Sequence, residues 1–181
     1  MKKKIRWITE SAVMLTLLVA FQALTRPMGQ LVTGSFVNAV LAVTVLAAGL
    51  YSGIAVALVS PLLAYLLGIA PQILTVPAIM AGNAVYVIAL YFIAGKDGKK
   101  FVRQVIAWIS AAAAKFAVLY GIVIWLICGV FSEGLLASGA LKAPMLKMLP
   151  ATFSWPQLFT ALIGGAVALL IVPVLRKALH K

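Results

Sequence analysis

Apolar residues run along this chain in long stretches, separated by short clusters of lysine, arginine, glycine and proline. A helix that crosses a bilayer needs about 20 apolar residues, within a range of about 17 to 25. Six stretches approach or meet that length: residues 8–24, 36–50, 54–69, 76–94, 101–130 and 155–175. The second and third are short and divided by Tyr51-Ser52-Gly53, so they are expected to form a tilted or partly buried hairpin. Pro61 is expected to kink the third, because proline removes one backbone donor. The first stretch follows Lys2, Lys3, Lys4 and Arg6, an arrangement that also fits a signal peptide. However, Val19-Ala20-Phe21-Gln22-Ala23 lacks small residues at both positions a peptidase favours, and the stretch reads as a retained span.

Between the spans lie two long connections. Residues 25–35 (TRPMGQLVTGS) are rich in turn formers and polar side chains, and read as a loop. Residues 131–152 mix glycine, proline and lysine with leucine and methionine, which suits a segment lying at the membrane interface. No linker, low-complexity segment or internal repeat divides the chain. The expected architecture is one integral membrane domain over residues 1–181, an all-α six-transmembrane-helix bundle.

Composition strengthens this reading. Hydrophobic residues make up 65% of the chain and charged residues 10%, and the mean hydropathy is +1.15. Soluble domains carry roughly 25% charged residues. A soluble fold of this size would have nowhere to put so much apolar surface.

The net charge of +12 raises the possibility of a nucleic-acid partner. Position argues against it. The bases sit at the ends of apolar runs, as in membrane proteins, and no nucleic-acid-binding signature is present. With the N-terminus inside, the cytoplasmic segments hold Lys2, Lys3, Lys4, Arg6, Lys96, Lys99, Lys100, Arg103, Arg176, Lys177 and Lys181. The outer segments hold only Arg26, Lys142 and Lys147, and Lys115 falls inside a span. Positive charge favours the cytoplasmic side, so both termini are expected in the cytoplasm, which independently requires an even number of spans.

Catalytic chemistry is hard to assemble from these residues. The only acids are Glu10, Asp97 and Glu133; the first two fall toward the inside and the third toward the outside, so they cannot form one carboxylate pair at a common outer site. His180 is the sole histidine and Cys128 the sole cysteine, which leaves no metal constellation, and no cofactor is expected. Neither a nucleophile elbow nor a phosphate-binding loop occurs. Ser110 is five residues from Lys115, a poor facing distance on one helix. An enzyme is not expected.

Polar residues within the spans are better suited to binding. Asn83 lies in the outer half of the fourth span, with Met80 and Tyr86 one turn either side. It could contact a ligand or make an interhelical hydrogen bond. Gln157 and Thr160 form a similar face at the outer end of the sixth span, near Phe153 and Trp155. Trp155 could be an interfacial belt residue or a stacking platform. Lys115 is the sharpest anomaly, since a mid-span lysine costs several kcal/mol unless it is paired or hydrated. A ligand group, backbone carbonyls or a hydrated cavity could each serve it. Small residues mark close packing: Ala12, Thr16 and Ala20 on the first span, Ala111 to Ala114 on the fifth, and Gly164-Gly165 on the sixth. The first set suits either the bundle interior or an interface with another membrane protein.

Taken whole, the chain resembles the substrate-binding S components of energy-coupling factor (ECF) vitamin transporters. The resemblance rests on length, six spans, a basic N-terminus, the small-residue first span (SAVMLTLLVA), the hairpin LAAGLYSGIAVALVSPLLAYLLG and the following GNAVYVIALYF. It implies a multi-pass protein of a bacterial cell membrane that captures a vitamin-like micronutrient from outside. The implied partners are a transmembrane coupling protein and a pair of cytoplasmic ATPases, and the absence of a nucleotide-binding motif agrees with energy supplied by them. By resemblance, the coupling protein would meet Ala12, Thr16 and Ala20, with threonine standing where the family typically has alanine. The ligand would meet Arg26, Gln30, Asn83, Tyr86, Lys115, Gln157 and Thr160. A structural protein of cell-envelope assembly and a self-sufficient small transporter or channel are the alternatives; neither needs the partners, and the first needs neither the pocket nor Lys115.

Overall fold

The computed structural model describes residues 2–69, 72–95 and 101–179. Lys96, Asp97, Lys99, Lys100, His180 and Lys181, which enter the expectations above, lie outside the described residues. Among the described residues there are helices and no strands. This is the outcome a bilayer imposes, because a lipid-exposed backbone must satisfy its own hydrogen bonds.

The helices are α1 (Lys2–Thr25), α2 (Gln30–Ala48), α3 (Leu50–Leu66), α4 (Val76–Ala94), α5 (Phe101–Leu119, continuing as a π-helix over Tyr120–Val130), α6 (Ser132–Ala137), α7 (Ala143–Phe153) and α8 (Trp155–Leu179). Among the described residues, five apolar helical segments are long enough to cross a membrane, and α3, with 17 residues, sits at the short end of the spanning range. The chain is thus an all-α membrane protein whose six long apolar helices correspond to the six expected spans.

Two boundaries differ from the sequence reading. The expected loop over residues 25–35 contracts to a 3₁₀ turn, Arg26–Met28, and Gly29; α2 then begins at Gln30 rather than near Phe36. The polar residues there do not break the helix because their hydroxyls bond to nearby carbonyls. Thr33 Oγ1 donates to the Thr25 carbonyl at 2.8 Å and Ser35 Oγ to the Leu31 carbonyl at 2.6 Å. The break between α2 and α3 falls at Gly49, not at Tyr51-Ser52-Gly53. Gly49 has φ +92°, which only glycine adopts readily, so the chain turns there and α3 starts at once. Ser52 and Gly53 are buried inside α3.

Residues 131–152, expected as an interfacial segment, fold into α6 and most of α7. Leu149 and Phe153 of α7 are buried in a small cluster with Ala78 of α4 and Leu119, Val123 and Ile127 of the α5 rod. The π-helical end of that rod is visible in the bond from the Phe131 N–H to the Leu126 carbonyl, five residues back, at 2.8 Å.

Small residues set the helix spacing. The most extensive contacts join α2 to α8 and α4 to α5. A Cβ on Gly164 would lie 2.5 Å from the Ser35 carbonyl oxygen and 2.6 Å from the Ala39 nitrogen, so α8 approaches the α2 backbone more closely than any side chain would allow. Ala111 and Ala112 are fully buried on α5. Such close backbone approach is how helices gain dispersion energy in lipid, where no hydrophobic effect drives them together.

The two ends of the bundle differ. Arg176 Nη2 donates to the Leu46 carbonyl at 2.7 Å, and Arg103 Nε to the Ile93 carbonyl at 2.6 Å. These arginines tie the last turns of α2 and α4 at one end. The α1–α2 turn and α7 lie toward the other, and a cavity opens among them.

Candidate functional site

The cavity, about 170 Å³, is lined from six of the long helices' inner faces and from α7. Its polar centre is built around Lys115, which is 2% exposed on α5. Lys115 Nζ donates to Asn38 Oδ1 of α2 and to Asn83 Oδ1 of α4, each at 2.6 Å. It also lies 5.6 Å from the centroid of the Tyr86 ring, a cation–π distance. Among the described residues no carboxylate approaches it. Glu10 is paired with Arg6 at 2.7 Å within α1, and Glu133 is exposed on α6.

The ammonium fixes the two amides around it. Lysine offers donors only, so both asparagines must present their oxygens to it and turn their NH₂ groups away. Asn38 Nδ2 spends its hydrogens within the protein, on the Gly34 carbonyl at 2.9 Å and Thr160 Oγ1 at 3.2 Å. Thr160 Oγ1 in turn donates to the Gln157 carbonyl at 3.1 Å. Asn83 Nδ2 is buried with no partner. A buried donor left unpaired costs roughly 1 to 3 kcal/mol.

Of the ligand residues suggested by the sequence, Arg26, Gln30, Asn83, Lys115 and Gln157 line the cavity together. Arg26 and Gln30 are exposed at its mouth. Gln157 is mostly buried, its Nε2 donating to the Thr152 carbonyl at 3.1 Å. Tyr86 and Thr160 do not line the cavity. Tyr86 is fully buried beneath it, its hydroxyl donating to the Ala161 carbonyl at 3.3 Å, while Thr160 holds Asn38. Both therefore support the groups that face the cavity. Trp108, deeper on α5, donates to the Leu162 carbonyl at 2.8 Å and packs. Trp155 is exposed and stacks on Phe116 with centroids 5.5 Å apart, as a belt residue would.

Other cavity residues were not singled out from the sequence: Asn38, Ser60, Gln22 and Thr33. Asn38 carried a usable signal, since an asparagine within the apolar run FVNAVLAV is as anomalous as Asn83. Ser60 and Thr33 carried none, because serine and threonine hydroxyls are commonly absorbed by the preceding helical turn.

On α1, Ala12, Thr16 and Ala20 all face outward and are exposed, whereas Leu18 is fully buried against the bundle. Thr16 Oγ1 donates to the Ala12 carbonyl at 2.9 Å, which removes its polarity from that face.

An α-helical bundle with a polar cavity open toward one end and a smooth, exposed face on its first helix is the form of a membrane-embedded binding subunit. The family model of the ECF transporter substrate-specific component matches residues 7–176, nearly the whole chain, and the protein belongs to that family. No curated protein and no solved structure matches the chain.

Proposed function

We propose that this S component captures a vitamin-like micronutrient with an anionic or strongly hydrogen-bond-accepting group from outside a bacterial cell. It then delivers the ligand together with a coupling protein and a pair of ATPases. The observation that carries the reading is Lys115, a buried cation at the cavity with no carboxylate partner among the described residues. Two amide oxygens hold its position and solvate it only partly. A ligand carboxylate or carbonyl completes the shell, in a setting where charge-assisted hydrogen bonds are strong. Arg26, exposed at the mouth, attracts such a ligand from solution. Native mass spectrometry of the purified chain against a vitamin panel tests this reading. Retention of one anionic or acceptor-rich member at micromolar concentration or below is the expected result. Retention of none, or uptake by cells that lack the ATPases, would overturn it.

The same reading orients the protein with both termini in the cytoplasm and the cavity mouth outside. The distribution of bases supports this, as does the position of Arg103 and Arg176 at the end away from the cavity. A membrane-impermeant thiol reagent added to intact cells should label a cysteine placed at Ser138, exposed just beyond α6, and miss one placed at Ala178, exposed near the end of α8. The opposite pattern would invert the topology.

A further inference from the structure

We infer that Ser60, the Asn83 amide and the free N–H of Lys115 form a three-donor subsite for the carboxylate of a small organic acid, a ligand of about one ring or a short chain. The inference rests on the Lys115 pocket just proposed and narrows its ligand to a chemical class.

Three observations converge on it. The Lys115 ammonium has three N–H groups, two of which go to Asn38 and Asn83; the third has no acceptor among the described residues. The Asn83 amide is oriented by that same ammonium, so its unpartnered NH₂ group is directed away from the lysine, and Asn83 is 1% exposed on the cavity wall. Ser60, on α3, is also 1% exposed, lines the same cavity and has a hydroxyl without a partner. A helical serine ordinarily bonds back to the carbonyl four residues earlier, as Ser11, Ser35 and several threonines do here. Ser60 does not, and its hydroxyl is left available to a ligand.

Charge and shape select among anions. The subsite supplies one formal positive charge and two neutral donors, which match a singly charged, planar group with two acceptor oxygens. A phosphate or sulfate dianion would leave a net negative charge buried, which desolvation strongly disfavours. The remaining walls mix apolar side chains, Val37, Ala64, Ile79 and Phe153 among them, with polar ones such as Gln22, whose buried Oε1 has no partner. They suit a heteroaromatic or other body that carries a hydrogen-bond donor of its own. A cavity of about 150 Å³ accommodates benzene, so about 170 Å³ suits a ligand body of similar scale.

The test uses the purified full-length chain and a panel of matched pairs: monocarboxylates of roughly 8 to 12 heavy atoms on aromatic, heteroaromatic and short aliphatic bodies, each with its primary carboxamide, plus cationic and neutral compounds of the same size. Binding is read by thermal shift and then by calorimetry. The expected result is that at least one carboxylate binds, that its carboxamide binds at least tenfold more weakly, and that Ser60→Ala weakens the carboxylate about tenfold. Ser52→Ala, which removes another buried, unpartnered hydroxyl of α3 that does not line the cavity, should leave affinity unchanged. Ser60 makes no hydrogen bond in the protein, so its alanine variant should keep the melting temperature of the ligand-free protein. Equal binding of acid and amide, or no binding by any carboxylate, would overturn the assignment. Binding of another class that is lost in Lys115→Met would end the carboxylate assignment while keeping the Lys115 pocket. Binding indifferent to Lys115→Met would end both.

Discussion

Replacing Lys115 by methionine is expected to weaken ligand capture by about 2 kcal/mol or more, roughly thirtyfold in affinity, because a buried charged hydrogen bond is lost. Methionine keeps most of the side chain's length and removes only its donors and charge. The ligand's acceptor group would still be dehydrated on entering the cavity, with nothing there to replace the ammonium. The variant should also be less stable without ligand. Asn38 Oδ1 and Asn83 Oδ1 both lose the donor they now share at 2.6 Å. A buried acceptor left unpaired costs roughly 1 to 3 kcal/mol. That second effect has no local signature in the sequence, because both partners of Lys115 lie on other helices, Asn38 on α2 and Asn83 on α4. The two effects are separable. Affinity is measured by calorimetry well below the variant's melting temperature, and stability by a thermal scan without ligand. A lower melting temperature with unchanged affinity would make Lys115 a structural strut between α2, α4 and α5 and nothing more.

How far the chain could be read beforehand varies with the physical signal. The ends of α4 were legible because Pro77 opens it and Gly95 closes it, with only apolar residues and one asparagine of note between. The start of α8 at Trp155 was legible for a similar reason, since Ser154 precedes it and Pro156 stands in its first turn. The start of α2 was not. Thr33 and Ser35 read as loop residues by composition, but each bonds its hydroxyl to a backbone carbonyl, which makes them tolerable in a helix. Lys115, Asn83 and Gln157 stood out because polar groups are costly in lipid, and the cavity gathers all three. Their mutual arrangement lay beyond any local pattern. Asn38 and Lys115 are 77 residues apart, and only the packing of α2, α4 and α5 brings one ammonium to two amides. The supporting roles of Tyr86 and Thr160, behind the cavity rather than on it, follow from that packing too.

The other large effect is expected on the outer face of α1, where Ala12→Trp or Ala20→Trp should abolish uptake and leave ligand binding by the isolated chain intact. Ala12, Thr16 and Ala20 recur every fourth residue, so they stack on one side of the helix, and that side is exposed. The opposite side holds Leu18, fully buried, with Met14 and Leu15 packed on the core. The bundle therefore does not need the small residues for its own packing. With the Thr16 hydroxyl bonded to the Ala12 carbonyl, the stripe is apolar and nearly flat, suited to a second helix at close range. An indole at either end holds the two backbones apart and forfeits the dispersion contacts on which helix association in lipid depends. Because the indole points away from α2 and α3, it reaches neither the cavity nor the Lys115 cluster. Transport assays on the complete transporter in liposomes, paired with calorimetry on the isolated variants, separate the two functions. Uptake lost with affinity preserved identifies this face as the docking surface for the coupling protein. Affinity lost in parallel with uptake would assign the stripe to the internal packing of the bundle.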